Sequence, residues 1–295
     1  MVATSAFQAS IEKIMIGDDE RLSGQARFDQ FLNLLVFVLL GCWVPSHLLM
    51  SPDWSEPKAP LTLVFVLGSV VFYWGAPVRR RLVLGALFMV GCLLAAIEFP
   101  NTPNHRLLEL VPLGLAGLTC SQSAVERRVF FSFIRTFALV VLFYAGVQKL
   151  LLGTYFEGQY LAYKTYATPS FQNVAHLWCS QAELQYFQSL PWPPYAGLTG
   201  FKLKTWYGLL ISNLTWVLEL VLPLLVVFSA KRQVWLVITL LFAASFQLAA
   251  LEAEFFLMML ILLSLYFNDA HEKKLFGVVA VILAVNFMAF SGVIS

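Results

Sequence analysis

Several side chains in this sequence have types that could do proton chemistry, and they sit in surroundings that argue against them. Lys149 ends the run Leu142-Phe143-Tyr144-Ala145-Gly146-Val147-Gln148. Glu219 lies inside Trp216-Val217-Leu218-Glu219-Leu220-Val221-Leu222-Pro223. His105 follows Pro103-Asn104 and precedes Arg106, with Glu98 before it and Glu109 a turn later. Gln247, Glu252 and Glu254 gather at the end of another apolar run. Ionisable groups at membrane depth are costly, so they are paired, wetted or functional. A base and an acid beside an apolar cavity are what proton chemistry on a lipid-soluble substrate needs. Lysine suits the base, because burial favours its neutral amine, which can accept a proton.

Each residue also has a plainer reading. Lys149 could be an anchor that snorkels to the interface. His105 could be a surface residue at a helix start, and Glu252 and Glu254 could mark a loop. Arg135 precedes Lys149 by fourteen positions, roughly 21 Å along a helix and nearly on the same face. It reads either as an inner anchor or as a structural partner for Glu219. Gly146, one turn before Lys149, leaves room for another helix or a ligand.

The elements that must position these groups are membrane helices. Of 295 residues, 59% are hydrophobic and 12% charged, against about 25% charged in an ordinary soluble chain. Mean hydropathy is +0.76. Apolar surface on this scale needs lipid as its solvent. The net charge of +2 and the lack of a basic domain exclude nucleic acid as an expected partner. Cys42, Cys92, Cys120 and Cys179 form no CxxC pair, so neither a metal site nor a redox motif is expected. The first 28 residues are polar and mixed in charge, unlike a cleavable signal peptide.

The expected fold is all-α, with about nine segments near the length a bilayer requires. They are Phe28 to Met50, Pro60 to Ala76, Leu82 to Phe99, Leu107 to Cys120, Val129 to Leu152, Trp206 to Ser229, Val234 to Leu251, Phe255 to Phe267 and Leu275 to Ile294. With that count the clusters Arg79-Arg80-Arg81, Glu126-Arg127-Arg128, Lys231-Arg232 and His271-Glu272-Lys273-Lys274 all fall on one side. Basic loops mark the cytoplasmic face. Residues 1–27 then form a polar cytoplasmic segment and 28–295 one transmembrane domain. The loop 153–204 lies outside, rich in Trp, Tyr and Phe, and reads as a folded cap or as interfacial helices. No internal repeat supports an inverted-repeat transporter.

The stretch from Arg135 through Tyr144-Ala145-Gly146-Val147-Gln148-Lys149-Leu150 to Tyr155-Phe156-Glu157-Gly158 resembles the membrane domain of vitamin K-dependent gamma-glutamyl carboxylases. In bacteria that domain is known as the horizontally transferred transmembrane (HTTM) domain. Asn104-His105 is similar to the family's Asn-His at the outer start of a helix, and Glu219-Leu220-Val221-Leu222-Pro223 to its Glu-Leu-x-x-Pro stretch. The resemblance implies that Lys149 is the base that deprotonates a reduced quinone, with His105 assisting. It places Asn104, Arg135, Tyr144, Glu219 and Gln247 around the substrate. It also implies an integral protein of the bacterial inner membrane with a cytoplasmic N-terminus. The chain departs from the family at Phe246-Gln247, where Phe-His is expected, and at Phe137, where Gln is expected. It also lacks the large lumenal domain of the animal enzymes. The alternative expectation is a non-catalytic subunit, or a maturation or assembly partner of a larger membrane complex.

Overall fold

The computed structural model describes residues 24–45, 48, 57–75, 77–98, 106–119, 123–167, 169–190, 200–250, 253–266 and 272–290. Among these residues the chain is helical, without a strand. Asn104, His105, Cys120, Glu252, His271 and the Pro191–Pro194 turn lie outside the described residues.

The helices are α1 (Gln25–Val44), α2 (Lys58–Trp74), α3 (Pro77–Glu98), α4 (Arg106–Thr119) and α5 (Ala124–Leu152). Then come the short α6 (Gln159–Ala167), α7 (Pro169–Val174), a 3-10 turn (Ala175–Leu177) and α8 (Gln181–Ser189). The last four are α9 (Trp206–Phe228), α10 (Arg232–Ala250), α11 (Ala253–Ser264) and α12 (Glu272–Phe290). Each apolar run read from the sequence falls on one of the long helices.

Four stretches are long and apolar enough to cross a membrane: Gln25–Val44, Arg79–Ile97, Ala124–Leu152 and Trp206–Phe228. Lys58–Trp74, Leu108–Leu118, Arg232–Ser245 and Glu254–Ser264 are apolar but shorter. Only 28% of the apolar window is buried in α3 and in α9. Their outward side chains include Leu82, Met89 and Leu93 on α3, and Leu210, Leu214 and Leu224 on α9. Such surfaces are untenable in water and ordinary in lipid, so this is the surface of a membrane protein.

The chain divides into two compact units, residues 1–138 with 253–295, and residues 139–252. The boundary falls within α5. In the first unit α3 packs between α2 and α4, and α1 packs against α2, α4, α11 and α12. Phe28 and Phe31 of α1 meet Phe130 and Phe131 of α5 edge to face, with centroids 5.3 to 5.9 Å apart, geometry that suits the ring quadrupoles. Arg81 donates through Nε and Nη2 to the carbonyls of Gly117 and Leu118. These are orphan acceptors at the C-terminus of α4, where a cation is also favoured by the helix dipole.

The second unit carries the segment expected as a cap. Its short helices enclose a core of Ala162, Phe171, Trp178, Cys179, Phe187, Phe201 and Leu203. Ser180 and Glu183 form a reciprocal capping box at the start of α8. Glu183 does more than cap. Its Oε1 accepts from the main-chain N–H of Lys204 at 2.6 Å and of Thr205 at 3.0 Å. One buried carboxylate thus ties α8 to the start of α9. Trp178 Nε1 donates to Thr165 at 2.8 Å, and the Thr205 hydroxyl donates to the Trp178 carbonyl at 2.8 Å, so the ring at the cap's centre is fixed on two sides.

Candidate functional site

In the second unit, α5 and α9 touch at a glycine. A Cβ on Gly146 would lie 2.9 Å from the Leu220 main-chain nitrogen and 3.0 Å from Glu219 Cβ. No larger residue permits this approach, and it sets the two most conspicuous charges of the sequence against each other. Lys149 Nζ donates to both oxygens of Glu219, at 2.8 and 2.7 Å. The Glu219 side chain is 3% exposed and that of Lys149 19%. Pro223 has no N–H to give to the Glu219 carbonyl, so the α9 ladder is interrupted at this level.

The segment after α5 also reaches the pair. The turn after α5 carries Tyr155, whose ring lies 5.4 Å from Lys149 Nζ. Tyr160 stacks on Tyr155 with centroids 5.0 Å apart, and Lys164 lies 5.7 Å from the Tyr160 ring. The turn is bounded by Gly153 and Gly158, at φ of 69° and 66°, values that other residues rarely adopt. It is also tied down: Ser212 donates to the Tyr155 carbonyl at 2.8 Å, and Asn213 to that of Phe156 at 3.1 Å. Glu219 is six residues beyond Asn213, about 9 Å further along α9. The pair therefore lies just under the cap's floor, beside a fixed aromatic face.

Outside the membrane helices, two carboxyls and a thiol titrate away from their ordinary values. Burial raises Glu183, but the hydrogen bonds from Ser180, Lys204 and Thr205 outweigh it and hold the carboxyl below 4.5. The Lys202 hydrogen bond lowers Glu157. Burial, with Glu183 adding to it, pushes the Cys179 thiol up to about 12.

The sequence candidates part company here. Lys149 and Glu219 come together in the second unit. Arg135 is buried in the first unit with its guanidinium 5.1 Å from the Tyr266 ring. Lys149 meets Glu219 because the glycine contact brings that turn of α5 against it. Tyr144 is 58% exposed, five positions and about 140° round the helix from Lys149. Gln247 belongs to α10, with its side chain outside the described residues. Glu254 joins a separate charged cluster in the first unit with Arg106, Glu109 and Trp43. Trp43 was missed in the sequence; an indole at the end of an apolar run, with an N–H that needs a partner, was the available signal. Among the described residues no group of His, Cys, Asp or Glu could hold a metal ion. No family model matches the chain, and no curated protein or solved structure matches it either.

Proposed function

We propose that the chain is a membrane-embedded protein of the HTTM, vitamin K carboxylase-like type, in which the Lys149–Glu219 pair moves a proton from a lipid-soluble weak acid such as a reduced quinone. The observation that carries this reading is the pair itself, two hydrogen bonds of 2.8 and 2.7 Å under the floor of an aromatic cap. An ammonium cannot act as a base. Transfer of its proton to Glu219 leaves a neutral amine and a neutral acid, at little cost in a site that disfavours separated charge. The amine can then take a hydroxyl proton from the substrate and become an ammonium again, with the substrate anion beside it. Tyr155 supplies a face on which a planar ring can stack. Asn104, His105 and Gln247 complete the proposed site by resemblance.

In this reading all nine apolar helices cross the bilayer, the basic clusters lie in the cytoplasm with the N-terminus, and residues 153–204 cap the outer face. The membrane is the bacterial inner membrane. The test is oxygen consumption by the purified protein in nanodiscs supplied with a short-chain naphthoquinol. Wild type should exceed the protein-free rate, and Lys149→Met should return it to background. Equal rates for both would remove Lys149 from any chemistry.

One observation favours the second reading, a non-catalytic subunit or assembly partner. The pair joins opposite charges and bolts α5 to α9, as a purely structural lock would. If Lys149→Met abolishes co-purification with a larger complex while naphthoquinol turnover is absent in wild type, the lock is the function.

A further inference from the structure

The first unit holds a charged cluster that the lysine site does not use. Arg106 Nη1 donates to Glu109 Oε2 at 2.9 Å and to Glu254 Oε1 at 2.6 Å. Trp43 Nε1 points at the same two oxygens, at 3.3 and 2.9 Å. One oxygen of each carboxyl group thus hangs from the same two nitrogens, which brings the two acids together. Ionised carboxylates only accept hydrogen bonds. Two acids held this close can hydrogen-bond to each other only with a proton on one of them.

The surroundings make that proton hard to do without. Glu109 is 0% exposed and Trp43 1%. The Arg106 guanidinium lies 5.1 Å from the Trp43 ring, and Phe65 packs on the indole with centroids 4.6 Å apart. The Glu254 side chain is 20% exposed, and like charges this close, with one carboxyl fully buried, are disfavoured from both ionising. Of the elements packed here, α4 supplies Arg106 and Glu109, α11 supplies Glu254, and α1 supplies Cys42 as a further titratable neighbour. From α2 the contact is the apolar Phe65. The second oxygen of Glu109, Oε1, is buried and has no partner among the described residues. An open acceptor on the carboxyl that shares the proton is where a proton donor or acceptor would dock.

We propose that Glu109 and Glu254 form a proton-binding site, one exchangeable proton shared by two carboxyls and clamped by Arg106 and Trp43. When the proton leaves as H⁺ to water or another base, the site changes from one carboxyl and one carboxylate to two carboxylates facing the guanidinium. No other bond is made or broken. A titratable site of this kind inside a helical membrane protein is a component of proton-coupled work. It does not depend on the chemistry proposed for Lys149.

The test is infrared spectroscopy of the full chain in nanodiscs, with thermal unfolding in parallel. Wild type should show the carbonyl stretch of a protonated carboxyl, shifted down in D₂O, and lost in both Glu109→Gln and Glu254→Gln. Each glutamine supplies the N–H that the shared proton supplied. Either variant should therefore keep the Tm within about 2 °C of wild type, while Glu109→Ala lowers it by about 5 °C or more. The absence of the band, its survival in both glutamine variants, or a glutamine as harmful as the alanine would each overturn the proposal. Should one glutamine variant fail to fold, the wild-type band and the other variant still decide the question.

Discussion

The two charged clusters of this protein solve the same problem with different stoichiometry. In the second unit one ammonium meets one carboxylate, and each satisfies the other at 2.7 and 2.8 Å. In the first unit one guanidinium serves two carboxyls, with an indole N–H helping. Within the lysine pair the proton can sit on either partner without changing the net charge of the site. A cluster with two acids and one cation depends on its cation far more. The comparison can be broken by removing the cation from each. Arg106→Met leaves one buried and one partly buried acid without a donor that both use and should destabilise by about 3–5 kcal/mol. Lys149→Met leaves one acid, which a single proton neutralises, and should cost about 1–3 kcal/mol. Unfolding in detergent by heat or by sodium dodecyl sulfate measures both. If the lysine variant proves the more harmful, the stoichiometric argument is wrong.

A double variant sharpens the point. Replacing both members of a buried pair by apolar residues of similar volume is often neutral. Lys149→Met with Glu219→Leu should therefore recover stability to within about 1 kcal/mol of wild type. Naphthoquinol turnover should stay absent in it. Recovery of both would show that the pair is only a lock.

Two glycines give a smaller and purely steric contrast. At Gly146 a Cβ would lie 2.9 Å from a main-chain nitrogen of α9, whereas at Gly85 on α3 it would meet nothing within 4 Å. Gly146→Ala must push α5 from α9 and should cost about 1–3 kcal/mol. Gly85→Ala should gain up to about 1 kcal/mol from helix propensity alone. The same melting experiment reads both. Equal effects would mean that the α5–α9 contact is not tight.

The contrast between the clusters was half legible in the sequence. Hydropathy located every long helix, because a run of apolar residues in a helical chain admits little else. The polar exceptions within those runs, Lys149 and Glu219, were equally visible. Their pairing was not, since the partners are 70 residues apart and the contact depends on how α5 and α9 meet at Gly146. The first-unit cluster was harder still. Arg106 read as the neighbour of His105, Glu254 as the start of a loop, and Trp43 as one more apolar side chain. Only packing α1, α4 and α11 together reveals that Arg106 and Trp43 share one oxygen of Glu109 and one of Glu254. In the cap, Ser180-x-x-Glu183 carried an ordinary capping signature. No local pattern tells that the same carboxylate also holds Lys204 and Thr205.

That last carboxylate supplies the smallest effect, and its sign follows from the direction of its shift. Glu183 is held below 4.5 in the folded cap by the hydrogen bonds it accepts. Its contribution is therefore fully present above the unfolded value and is lost as pH falls through and below that range. From pH 8 to pH 6 the cap should not change. Below pH 4.5 it should loosen, by about 1 kcal/mol for the capping interaction. Cys179 reports this directly. Its buried thiol, raised to about 12, should resist alkylation at neutral pH until the cap opens. Glu183→Gln keeps the shape but loses the charge that strengthens four hydrogen bonds, so Cys179 in this variant should label faster at neutral pH, as mass spectrometry of the modified peptide would show. The Lys149–Glu219 pair sits beneath the cap, so the rate of naphthoquinol turnover should respond to Glu183→Gln as well, whereas the infrared band of the Glu109–Glu254 pair should not. A cap variant that altered the band instead would join the two clusters that this comparison treats as separate.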